Sequence, residues 1–142
     1  MTVELEIEIA LEKHISASLG MTYRVERMNC DSIELLRLAK AEPIGLIVIT
    51  HSNTPASYTP ITEKGSLYNL VIPFVVSVFT NDRTELYETI SRVRDLVFTF
   101  NYNYARVGLL NHAISTQKYP DIIEGVFIGD FEFEVRTIYP SR

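Results

Sequence analysis

With 142 residues, 46% apolar content and a formal net charge of −5, the chain has the size and composition of one globular domain. A chain of this length buries about 70% of the surface its unfolded form exposes, so it needs no metal or disulfide staple. The acidic balance and the lack of any basic run argue against a protein that grips nucleic acid, whose affinity rests on a concentrated positive footprint.

Cys30 is the single cysteine and cannot bridge within the chain, which suits a reducing compartment. The opening Met-Thr-Val-Glu-Leu-Glu-Ile-Glu-Ile places glutamates where a secretory leader needs positive charge. Every apolar run is too short to span a bilayer. The expectation is a soluble cytosolic product.

In the first segment two periods compete. Val3, Leu5, Ile7 and Ile9 alternate with glutamates, as in a strand, while Val3, Ile7, Leu11 and Ile15 recur at helical spacing. The run continues to Leu19 before Gly20, and that length favours a helix. Tyr23 to Met28 reads as a short strand. Asp31 and Glu34 look like a capping pair for a short helix over Ser32 to Ala41, which must end before Pro43. Ile44 to Thr50 is a buried, β-branched strand.

Residues 51–66 hold Pro55, Pro60 and Gly65 among serines and threonines, a density of breakers that predicts a loop without regular structure in its middle. A loop this long in a small domain is usually functional. It is expected to leave the body as an arm. Leu67 to Phe79 follows as a long strand, and Pro73 predicts an edge or a bulge because it lacks a ladder donor. Asp82 then caps an amphipathic helix that buries Leu86, Ile90, Val93 and Leu96 or Val97.

Val107 to Thr116 reads as a further strand, weakened by Gly108 and Asn111. Gly129 to Ile138 is the clearest strand of all. Phe131, Phe133 and Val135 face one side, and Asp130, Glu132, Glu134 and Arg136 the other. The fold class is α+β: a small, mostly antiparallel sheet of about four to five strands, packed by two to three helices, with a long protruding loop or hairpin.

No catalytic centre assembles from these residues. His14, His51 and His112 lie in separate segments without metal-ligand spacing. Cys30 at a helix start favours a thiolate, yet no nucleophile elbow or oxyanion loop accompanies it. Glu132 and Glu134 stand roughly 7 Å apart on one strand face, a spacing that glycosidic acid/base pairs also use. Their alternation with buried residues reads instead as a solvated face. Phe98 to Arg106 interleaves aromatics and polar groups, which suits a subunit contact or a base-stacking platform, and the acidic charge favours the contact.

Two stretches carry a family likeness: Phe74 to Leu96, a strand running directly into a helix, and Gly129 to Arg136, the alternating closing strand. With the long polar loop before them, they make the chain resemble the tail terminator, or tail completion, proteins of long-tailed bacteriophages. The extra helix over Ser32 to Ala41 departs from the plainer members.

The resemblance implies a structural virion protein forming a ring, commonly hexameric, at the head-proximal end of the tail. Such a ring stops tail-tube polymerisation and meets the neck. Its implied partners are copies of itself, the tail tube protein and a neck or head-completion protein, with genome DNA passing through unbound. It implies no catalytic, cofactor or metal residue. Interface residues are expected in the arm (Tyr58, Thr62, Lys64) and at Tyr68, Tyr102, Tyr104 and Arg106, with Glu132 and Glu134 as acidic lumen candidates. A head–tail connector or tube-type protein is the nearest alternative. A small ferredoxin-like enzyme or ligand-binding domain, with Cys30, a histidine and the two glutamates converging, is a more distant one.

Overall fold

The structure, a computed structural model, describes residues 2–27, 45–51, 56–61, 67–102, 105–108, 115–118 and 127–140. Its spine is a pair of antiparallel strands, β4 (Leu67–Thr80) and β8 (Phe127–Pro140), each fourteen residues long and paired along their whole length. Alternation explains why they meet face to face. Leu70, Ile72, Phe74, Val76 and Val78 of β4 and Phe131, Phe133 and Val135 of β8 are all fully buried on one side.

Among the described residues, two helices cover that side. α1 (Val3–Leu19) buries Ile7, Leu11, Ile15 and Leu19, so the helical period prevails over the alternating one, and the Thr2 hydroxyl accepts from the Leu5 amide at its start. α2 (Arg83–Phe98) is capped by Asp82, whose carboxylate accepts from the Thr84 amide, and buries Leu86, Ile90, Val93 and Val97. Phe133 lies at the centre of the core, stacked 5.8 Å from Phe74 and 5.9 Å from Phe131.

Short strands flank the spine. β1 (Arg24–Arg27), β2 (Leu46–His51) and β3 (Ser57–Pro60) lie on the β4 side. β5 (Asn101–Tyr102), β6 (Ala105–Gly108) and β7 (Ser115–Lys118) lie on the β8 side. The result is α+β with an eight-stranded mixed sheet, larger than the four to five strands expected. Only β1 and β2 run parallel among the described strands.

Several expectations change. Ser57–Pro60 is a strand, so part of the loop forms a hairpin with β4, closed by the Ile61 amide donating to the Leu67 carbonyl. Backbone pairing to a long neighbour outweighs the local breakers there. Pro73 sits in neither an edge strand nor a bulge. It falls where β2 ends opposite Phe74 and β3 begins opposite Val71, so no described residue of either strand pairs with it. Of the strand expected over Val107 to Thr116, the structure describes Val107 and Gly108, in β6, and Ser115 and Thr116, in β7; the residues between lie outside the described ones. The helix expected over Ser32 to Ala41 lies outside the described residues.

A buried polar tie joins the two layers. The Tyr23 hydroxyl donates to Glu85 Oε1 at 2.6 Å and lies 2.5 Å from Thr89 Oγ1, both on α2. Gly45, at φ +90°, lets the ring pass, since a Cβ there would stand 2.8 Å from Tyr23 Cε1. Burial and the bond to Glu85 push the Tyr23 phenol up to about 12. A phenol held above its ordinary value of 10.0 supports the fold fully below that pH and loses its contribution as pH rises toward about 12. Tyr23→Phe is therefore expected to cost about 1–3 kcal/mol near neutrality. Urea titrations should show the gap from the wild type narrowing between pH 10 and 12.

Candidate functional site

Among the described histidines, His14 is engaged in structure. His14 Nε2 lies 2.7 Å from the Leu96 carbonyl and 3.1 Å from Thr99 Oγ1, with its ring edge-on to Phe100, so this histidine fastens α1 to the end of α2. Cys30 and His112 lie outside the described residues, and so does the side chain of His51. Among the described residues no three of His, Cys, Asp and Glu are grouped to hold a metal ion.

Glu132 and Glu134 share the sheet face turned away from the helices, as expected, but Glu134 is not solvated. It is 5% exposed and takes both Nε and Nη2 of Arg136 on one oxygen, with Nε at 2.6 Å. Gly108 on the neighbouring strand makes room, because a Cβ there would meet Arg136 Nε at 2.9 Å. A carboxylate neutralised in this way is not a free lumen charge. Glu132 is half-buried on the same face.

On its β8 edge the spine runs past its described neighbour. β6 stops opposite Arg136, so Thr137 to Pro140 carry no partner on their outer edge among the described strands. At this tip, on the face away from the helices, Ile61 lies beside Leu67, and Ile138 lies two pairs further along the ladder. Ile138 is 48% exposed, Ile61 47% and Leu67 36%. Edge strands usually carry charge against unwanted pairing. β1 does so, with Arg24 on Glu26 at 2.7 Å and Arg27 on Glu12 at 2.6 Å. The Thr-Ile-Tyr-Pro tip carries none.

Beside the apolar tip, Arg136 and Arg106 stand directly opposite each other in register. Arg106 is held by the Asn101 side chain at 2.5 Å and the Ala105 carbonyl at 2.9 Å.

A second feature lies on the helix-covered face: a groove of about 570 Å³ between α1 and the segment after α2. Ile9, Ala10, Phe100 and Tyr102 supply apolar walls, with Glu6 and Lys13 along the helix beside them.

No protein-family model and no curated protein matches this sequence. Tip and groove must therefore be interpreted from their own chemistry.

The expected interface residues distribute unevenly. Tyr58 and Tyr68 pack edge-on to each other at 6.3 Å in the hairpin, but the Tyr58 hydroxyl donates to Glu4, tying the arm to α1 rather than freeing it. Tyr102 lines the groove and Arg106 borders the tip. Thr62, Lys64 and Tyr104 lie outside the described residues. Sequence reasoning missed Ile61, Leu67, Ile138 and the groove wall. One signal was available: Ile138 is an apolar residue in the polar phase of the closing strand, following Asp130, Glu132, Glu134 and Arg136.

Proposed function

We propose that the protein is a ring-forming structural component of a phage tail, acting as a tail terminator at the head-proximal end. One observation carries the reading: the β8 edge of a fourteen-pair ladder runs past β6, with no partner there among the described strands, and ends in an uncharged, aliphatic tip. Exposed apolar surface bounded by polar groups marks an interaction surface, and identical subunits in a closed ring are a common way to cover one. The order of elements, with a long strand feeding a capped helix and an alternating strand closing the sheet, supports the same assignment. A formal charge of −5 suits a conduit through which phosphate passes without sticking.

The ring would rest on the last tube ring, block further subunits and present its other side to the neck. Purified tube protein assembled with its length-setting scaffold provides the test. Adding this chain is expected to end growth at one tube length, and omitting it should give over-long tubes. Tubes that keep growing in its presence, or that incorporate it along their length as a tube subunit would be, refute the assignment.

A further inference from the structure

We infer that the apolar tip of one copy docks into the groove beside α1 of the next, with Arg106 meeting Glu6, so that a second copy of this chain is the occupant of that groove. The inference rests on the ring reading and adds the contact through which the ring would close. Its basis is a match in apolar character and charge between two surfaces of one molecule.

The donor surface is an apolar strip, Ile61, Leu67 and Ile138, with two guanidinium groups at one end. Arg136 is two residues from Ile138 on the same face, roughly 7 Å along the strand. The acceptor is an apolar trough, Ile9, Ala10, Phe100 and Tyr102, with Glu6 at one end and Lys13 at the other. Glu6 and Lys13 lie seven residues apart on a helix, about 10 Å along its axis.

Only one orientation of the strip satisfies the charges. Arg106 faces Glu6 and the aliphatic end runs toward Ala10. The opposite orientation sets Arg106 against Lys13. The helix adds to the preference, because Glu4, Glu6 and Glu8 crowd its first turns while Lys13 is beyond them. Arg136 already holds Glu134 through Nε and Nη2, so the charge offered to a second molecule is that of Arg106.

Donor and acceptor surfaces differ, so the contact is head-to-tail, and repetition gives a ring or a filament rather than a two-fold pair. The exposed tip is thereby covered in every subunit of a closed ring.

Sedimentation over a concentration series tests this with charge swaps. Glu6→Lys alone and Arg106→Glu alone are each expected to weaken self-association at least about tenfold, because like charges then face each other. The chain carrying both swaps should recover to within about threefold of the wild type. Ile138→Asp (tip lost) and Ala10→Asp (groove lost) should each be monomeric, and their mixture should form pairs and nothing larger. Circular dichroism checks that each variant is folded. A wild-type chain monomeric at every concentration, a double swap as weak as the single ones, or a mixture that forms large assemblies overturns the inference. Rings indifferent to these substitutions sink it alone, whereas tubes that ignore the protein sink the ring reading alone.

Discussion

Phe133→Ala is expected to lower the unfolding free energy by about 3–5 kcal/mol, a large share of the roughly 5–15 kcal/mol that holds a domain of this size. Phe133 is fully buried between Phe74 and Phe131, with ring centroids 5.8 and 5.9 Å away. Truncation removes apolar area and both ring contacts together. The cavity cannot collapse easily, because β4 and β8 are locked in register on both sides of it. Phe98, edge-on to Phe131 at 6.3 Å but exposed, provides the contrast, and its truncation should cost less than about 1.5 kcal/mol. Urea denaturation of the two variants measures both. Equal losses would mean that the stacked rings are not the centre of the core.

Gly129→Val should rank next, at about 1–3 kcal/mol. A Cβ at this position would stand 2.0 Å from Ile90 Cδ1 and 3.3 Å from Leu86 Cδ1, so α2 rests directly on the backbone of β8. Alanine asks only the flexible end of Ile90 to swing aside, and should cost less than valine. Valine must push the helix outward, away from β4 as well as β8. Adding Ile90→Ala to Gly129→Val should restore part of the loss, since it vacates the space the new side chain needs. If valine were tolerated without that second change, the close helix–sheet approach would not matter to stability.

These two positions also mark how far periodicity alone reaches. Phe131, Phe133 and Val135 were legible as a buried face because the strand period is two and every second residue is apolar. The buried face of α2 and its Asp82 cap were legible for a similar reason, being local patterns within one element. Gly129 was not legible in that way. Its role depends on Ile90, on another element, and no local pattern names the side chain a missing Cβ accommodates.

The same limit explains the altered expectations. Ser57–Pro60 carries turn-forming residues, yet it pairs because β4 extends beyond β2 and offers an unfilled ladder. Glu134 sits in the polar phase of its strand, yet it is buried, because Arg136 folds over Gly108 to reach it. In each case the deciding neighbour is distant in sequence or on another strand.

The candidate surfaces divide in like manner. Ile138 and Leu67 could be read as apolar residues out of place, but only the register of β3, β4 and β8 unites them with Ile61 into one strip. The groove joins residues of α1 to residues beyond α2, some ninety positions apart, and exists only once both helices lie on the sheet.

By itself the sequence determined the α+β class, the helical face of α1 and α2, and the buried phase of the closing strand, because each depends on short-range periodicity. Tertiary structure decided the size of the sheet, the burial of Glu134 and the places of tip and groove. Those depend on which strand lies beside which, and non-local backbone pairing leaves no periodic trace in the chain.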